Sequence, residues 1–166
     1  MRYYDTLDTP YGGMLIAASE RGITGVYFDR QKHLPSRREG WQRSPENPHL
    51  KKAKKQLVEY FAGKRKDFDL ALDPVGTEFQ KAVWKAISRV PYGETISYGE
   101  LARRAGFPEG ARAAGAATGR NPIGIVVPCH RIVGADGSLT GYAGGLDKKR
   151  ALLALEAGER DLLSAA

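Results

Sequence analysis

Ser97-Tyr-Gly-Glu-Leu-Ala-Arg-Arg-Ala105, Gly106-Phe-Pro-Glu-Gly110 and Ala111-Arg-Ala-Ala-Gly-Ala-Ala-Thr118 follow one another without interruption. The outer segments read as two short helices and the Gly/Pro-bearing centre as a compact turn, which predicts a helix-turn-helix. An ordinary helical hairpin inside a core fits the same pattern. The second segment stands out by side-chain size, since only Arg112 protrudes among Ala111, Ala113, Ala114, Gly115, Ala116 and Ala117. Such a surface can come close to a groove floor, yet it offers few groups able to read base edges. That argues against a sequence-specific regulator. Taken alone, Arg112 is a solvated cation.

Directly C-terminal lies Ile123-Gly-Ile-Val-Val-Pro-Cys-His-Arg131. Its Ile/Val run reads as a fully buried strand, so the residues after Pro128 should emerge at the edge of a packed core. Those residues are Cys129, the single cysteine of the chain, then His130 and Arg131. A free thiol with a pKa of about 8.5 is mostly protonated at neutral pH, and the thiolate is the effective nucleophile. His130 is the nearest base. Neighbours on a strand point to opposite faces, so proton transfer between them needs a tight turn or an intervening water, and the water relay is expected. Glu156, on the amphipathic segment Asp147-Lys-Lys-Arg-Ala-Leu-Leu-Ala-Leu-Glu156, is a candidate third member that would fix the imidazole tautomer, although spacing alone does not select it. The plain alternatives are an inert buried thiol at Cys129 and a solvated charge at Glu156.

Upstream, Gly12 to Ala18 and Gly22 to Phe28 are strand-like, with Arg2 to Leu7 as a third strand, which predicts an antiparallel meander. Asp29 to Pro48 is polar and proline-bearing and reads as a long surface loop. Leu50, Ala53, Leu57 and Phe61 fall on one helical face, with Lys51, Lys52, Lys54 and Lys55 as its solvated side. Asp73-Pro-Val-Gly76 punctuates the chain before a second helix, Thr77 to Arg89, with Phe79, Val83, Trp84 and Ile87 on one face. A domain boundary is expected there.

The chain has 166 residues, enough for one typical domain or two small ones, and two are expected. Lys and Arg number 26 against 19 Asp and Glu, a net charge of +7 with a pI near 9.6, which favours polyanionic partners. The excess is spread over both halves, so charge does not locate a binding face. No stretch approaches the roughly 18 apolar residues of a membrane span, and the N-terminus lacks the apolar core of a secretory signal. A cytoplasmic protein is expected. One cysteine cannot form an internal disulfide, and with only His33, His49 and His130 no metal-ligand spacing arises, so neither metal nor cofactor is expected.

Pro128-Cys-His-Arg131, preceded by Asn121-Pro122 and followed by Gly141-Tyr-Ala-Gly-Gly145, resembles the active-site signature of the O6-alkylguanine-DNA alkyltransferases. The resemblance extends to Pro91-Tyr-Gly-Glu-Thr-Ile-Ser-Tyr-Gly-Glu-Leu101 and Ala111 to Ala117, covering nearly all of residues 76 to 160. The first 75 residues match in general character only. It implies an α+β protein: a small N-terminal antiparallel-sheet α/β domain over residues 1–75, RNase H-like, then a mostly helical C-terminal domain over 76–166 with a winged helix-turn-helix. The implied activity is DNA repair by direct reversal, an irreversible single-turnover transfer of the alkyl group from O6-alkylguanine, and from O4-alkylthymine, to Cys129. A partner follows, alkylated double-stranded DNA, bound by a monomer or cooperatively by several.

The resemblance also assigns roles. His130 and Glu156 become the relay that deprotonates Cys129 through water, Asn121 braces the turn before the nucleophile, and Arg131 forms a structural ion pair. The second helix, with Ala113 and Gly115, enters the minor groove while Arg112 occupies the gap left by the everted nucleotide. Tyr98 crowds the neighbouring phosphate and donates a hydrogen bond to the extruded guanine. Tyr142, Ala143 and Gly144 line the pocket, where Gly141, Gly144 and Gly145 allow close approach to a planar ring. One departure is Thr118, where Asn or Met is expected, at the end of the groove-facing helix. Two rivals remain: a cysteine hydrolase built on Cys129, His130 and Glu156, and a non-repairing alkyltransferase-like lesion-binding protein. Retention of Cys129 speaks against the second, because that group replaces the thiol.

Overall fold

Apolar and β-branched residues make Tyr3–Thr9 (β1), Gly12–Ala18 (β2) and Ile23–Phe28 (β3) a meander, antiparallel from Tyr3↔Ala18 to Thr9↔Gly12 and from Met14↔Phe28 to Ala18↔Ile23. This is seen in a computed structural model that describes residues 1–29, 31–35 and 38–158. The end of the second expected domain, 159–166, lies outside the described residues, as do Arg30, Ser36 and Arg37 within the expected 29–48 loop. That loop is not wholly irregular. Gln42–Arg43 (β4) runs parallel to β1, giving a mixed sheet of order β3-β2-β1-β4. The pairing rests on backbone bonds, Gln42 N–H to Arg2 O at 2.9 Å and Ser44 N–H to Tyr4 O at 2.9 Å, so no side-chain pattern announces it.

Asn47 caps the next helix, Pro48–Phe61 (α1), accepting from the N–H groups of His49 and Leu50, with Pro48 pre-set for the first turn. Leu50, Ala53, Leu57 and Tyr60 are fully buried. Each large apolar side chain so buried contributes about 1.5–3 kcal/mol. Lys51, Lys52 and Lys55 are solvated as expected, but Lys54 reaches back to Asp5 at 2.6 Å, because that carboxylate on β1 is buried and needs a partner.

Thr77 and Gln80 form a reciprocal capping box that starts Glu78–Ser88 (α2). Ile96–Ser97 (β5) leads into Tyr98–Arg104 (α3), and the Gly106–Gly110 turn into Ala111–Gly119 (α4), the expected helix-turn-helix. Trp84 of α2 ties α4 down by donating Nε1–H to Ala117 O at 2.8 Å. Ile132–Val133 (β6) pairs in parallel with β5, and Leu146–Glu156 (α5) closes the described chain.

The Ile123–Val127 run is not a strand. It makes one bridge to the sheet, Val26↔Ile123, and one within itself, Gly124↔Val127, folding into a tight turn in which Val126 N–H donates to Gly124 O at 2.7 Å around Ile125, at φ 69°. A left-handed γ-turn centred on a β-branched residue is strained by about 1–3 kcal/mol. It is held by the buried side chains of Ile123, Ile125 and Val127 and by Asn121, whose Nδ2–H donates to Val127 O at 2.9 Å while Oδ1 accepts from Ile123 N–H at 3.0 Å. An unbroken apolar run carries no periodicity that would separate a strand from this turn. The turn docks on the sheet through Val26 N–H to Pro122 O at 2.9 Å and Gly124 N–H to Val26 O at 3.1 Å, and one hydrophobic core runs from β2 and β3 through α1 and α2 to α5. Among the described residues no helix is long and apolar enough to cross a membrane, and no three His, Cys, Asp or Glu side chains are placed to hold a metal.

Candidate active site

Pro128 ends the strained turn and starts a single 3-10 turn, Cys129–Arg131, so three consecutive side chains are presented in different directions from one buried point. Cys129 is 8% exposed and reaches a cleft of about 750 Å³. Tyr98 of α3, Arg112 and Gly115 of α4, and Tyr142 and Ala143 of the glycine-rich loop line that cleft with it. Ala113 is exposed on α4 outside the lining, and Gly144 lies behind it, where an added Cβ would come within 2.9 Å of both Phe28 and Tyr142. Thr118 does line the cleft, but its hydroxyl is turned back to Ala114 O at 2.7 Å. The Tyr98 hydroxyl accepts from Thr140 Oγ1 at 3.3 Å.

Lys32, Arg112 and Arg120 border the cleft, and among the described residues no carboxylate does. These three cations, from separate parts of the chain, meet in space at a concave wall suited to a polyanion. Arg112 makes no ion pair or hydrogen bond among the described residues. Lys32 was not singled out from sequence; it comes from the long loop and joins the cleft because its N–H donates to Ala143 O at 2.9 Å.

Behind the thiol the polar groups interlock. Glu156 accepts from Arg131 Nε at 2.7 Å on Oε1 and from Arg131 Nη2 at 2.9 Å on Oε2, while His130 Nε2 lies 2.7 Å from Oε2. Tyr60, which sequence reasoning missed, donates its hydroxyl to the same Oε2. Burial alone would raise the Glu156 carboxyl, but hydrogen bonds from His130, Arg131 and Tyr60 outweigh it and hold the group well below the usual carboxylate range. With Glu156 ionised, Nε2 must carry the proton, which leaves Nδ1 as the basic nitrogen. Nδ1 is buried and has no hydrogen-bond partner among the described residues. Arg131 also donates to Val90 O at 2.6 Å and lies over the Tyr92 ring, the structural ion pair expected of it.

Burial pushes the Cys129 thiol up, while a hydrogen bond with Asn121 and the charge of Lys149 pull it down less strongly. The resting group is a protonated thiol that needs a base. Lys149 was the other residue missed. It is fully buried on α5 with no carboxylate partner among the described residues, its Nζ donating to Ile132 O at 2.6 Å and Thr140 O at 2.9 Å, and burial lowers its pKa. No motif reveals it, because its partners are backbone carbonyls brought together only by folding.

The two depressed pKa values set an acid limit on stability. Burial lowers the folded-state pKa of His130 below its ordinary 6.5, and Glu156 lies below its ordinary 4.5. The unfolded chain binds more protons in both windows, so each contribution is complete above the ordinary value and is lost as pH falls beneath it. Denaturant melts are expected to show stability falling from about pH 6.5 downward and more steeply below about pH 4.5; a flat profile between pH 7 and 4 would contradict this.

A helix-turn-helix with a small-residue helix, set beside a buried cysteine backed by histidine and glutamate, defines a thiol protein built to meet a polyanion. Residues 2–74 match the ribonuclease-like domain and residues 78–158 the DNA-binding domain of 6-O-methylguanine DNA methyltransferase. The chain belongs to that family. It is 49% identical over 154 residues to a methylated-DNA–protein-cysteine methyltransferase of Methanosarcina acetivorans, covering 93% of this chain and 97% of the relative. Its counterpart from Mycolicibacterium paratuberculosis is 50% identical over 153 residues, 92% and 91% covered. Among solved structures, Mycobacterium tuberculosis OGT in complex with DNA superposes with a TM-score of 0.89 at 45% identity over 99% of both chains.

Proposed function

We propose that this protein repairs O6-alkylguanine in DNA by direct reversal, moving the alkyl group irreversibly onto Cys129, and that O4-alkylthymine is a second substrate. The observation that carries the reading is the Cys129 thiol at the floor of a cleft bordered by Lys32, Arg112 and Arg120, with the neutral imidazole of His130 oriented behind it by Glu156. The thiol proton passes through a water to Nδ1 of His130. The sulfur then attacks the alkyl carbon, an S–C bond forms, the C–O6 bond breaks, and the purine leaves with the electron pair and takes up a proton.

The duplex is held by α4, whose exposed Ala113 and Ala116 and half-buried Gly115 allow close approach, while Arg112 fills the gap left by the everted nucleotide. Tyr98 crowds the adjacent phosphate and donates to the departing guanine, and Tyr142 with Ala143 forms the wall for the base, with Gly144 packed behind Tyr142. Residues 1–75 and 76–166 act as two domains of one monomer, several of which load along a duplex. The thioether carbon–sulfur bond is stable to water and to thiols, so each molecule reacts once.

Intact mass after incubation with a duplex carrying O6-methylguanine tests the reading. The expected result is a single methyl in place of the thiol hydrogen, with no turnover. An unchanged mass would indicate the lesion-binding alternative, and catalytic release of product from activated esters would indicate a hydrolase. Because methylation adds bulk to a sulfur that is only 8% exposed and removes the thiol's hydrogen in its contact with Asn121, the reacted protein should melt lower by an amount corresponding to about 1–3 kcal/mol; equal or higher stability would oppose that part.

A further inference from the structure

Tyr60 belongs to α1, in the part of the chain that does not carry the nucleophile. Its ring is fully buried and its hydroxyl donates to Glu156 Oε2 across 96 residues of sequence. The same oxygen meets His130 Nε2 at 2.7 Å and Arg131 Nη2 at 2.9 Å. A carboxylate oxygen offers about two lone-pair sites, so three donors share what two would saturate. From this crowding we propose that Tyr60 is a positioning residue of the relay: its hydroxyl sets how tightly Glu156 holds the imidazole, and hence how basic His130 is toward the Cys129 proton. The inference rests on the reading of His130 as that base.

The polar surroundings leave Tyr60 a distinct part. The segment before β5 contributes the Tyr92 ring against Arg131 and the Gly93 N–H at 3.4 Å from Oε1. The 3-10 turn contributes Cys129 and Arg131, the glycine-rich loop Tyr142, and α5 Lys149, whose charge also acts on His130. Among the described residues only Tyr60, His130 and Arg131 donate to Oε2. Arg131 is a permanent cation, so Tyr60 is the neutral donor that can be removed without stranding a charge. Burial and the Glu156 charge hold its hydroxyl well above the ordinary value, so it stays a donor across the working range.

Removing the hydroxyl while keeping the ring returns negative charge on Oε2 to the His130 bond and favours the imidazolium. Tyr60→Phe should therefore protonate His130 at higher pH. Single-turnover methyl transfer from a saturating O6-methylguanine duplex, followed against pH in the full chain, should show the acid limb displaced upward by about half a pH unit, an equilibrium factor of about 3, with the alkaline plateau retained. The His130 ring resonances of the unreacted protein should titrate upward by the same amount. Superimposable profiles and titrations, or one uniform loss of rate at every pH, would reduce Tyr60 to packing and overturn the proposal. An acid limb absent from the wild-type profile would instead remove the reading of His130 as base, so the two failures are separable.

Discussion

Cys129→Ser is expected to fold normally, bind alkylated duplex within a few-fold of wild type, and transfer no measurable alkyl group. Serine is nearly isosteric with cysteine in a site that is 8% exposed, and its hydroxyl can keep the contact with Asn121, so packing gives little reason for collapse. The chemistry is where the two differ. An alcohol is a far weaker acid than a thiol, and His130, its basicity already reduced by burial, cannot generate an alkoxide. With the oxygen nucleophile so much weaker at neutral pH, the rate should fall by at least about 1,000-fold, roughly 4 kcal/mol of barrier. Intact mass and retention of the lesion in the duplex both report it. A serine variant that still clears the lesion would remove the thiolate from the mechanism.

Glu156→Gln should be the most destabilising single change around the site. Arg131 is 7% exposed and Glu156 fully buried at the side chain, and the amide leaves the guanidinium without a counter-charge while its own NH2 group confronts Tyr60, His130 or Arg131. Breaking one partner of a buried ion pair costs about 3–5 kcal/mol. For a chain of this size that is a fall in Tm of roughly 10 °C. Loss of transfer should accompany it, since the carboxylate no longer fixes the proton on Nε2. A loss below about 1 kcal/mol in denaturant melts would mean that Arg131 finds another partner, contrary to the buried geometry.

Local chemistry made much of the fold legible. The apolar spacing of α1 and α2 places both helices, and Asp73-Pro-Val-Gly76 marks the break between them, whereas the Asn47 cap and the Thr77–Gln80 box emerge only in the structure, with Pro48 opening α1 instead of ending the loop. The helix-turn-helix followed from Gly and Pro between two short helical runs. What stayed hidden depends on distant chain. Nothing local says that Ile125 turns left-handed, that Lys54 must answer Asp5, or that Gln42–Arg43 find the edge of β1. The site divides the same way. Cys129 and His130 announce themselves by adjacency, Glu156 is supported by family resemblance because spacing alone does not select it, and Tyr60 and Lys149 carry no local signal, since their partners are brought to them only by folding. Charge along the chain did not locate the cleft, because Lys32 joins Arg112 and Arg120 at its border only on folding.

The outer margin of β3 has its hydrogen-bonding positions at Val26 taken by Pro122 and Gly124, the residues that lead into the turn before the thiol. A strand border left bare recruits other chains. Severing the polypeptide between the sheet and the helix-turn-helix would uncover that border on one fragment and unseat the Ile125 bend on the other, making either piece a poor subject for expression by itself.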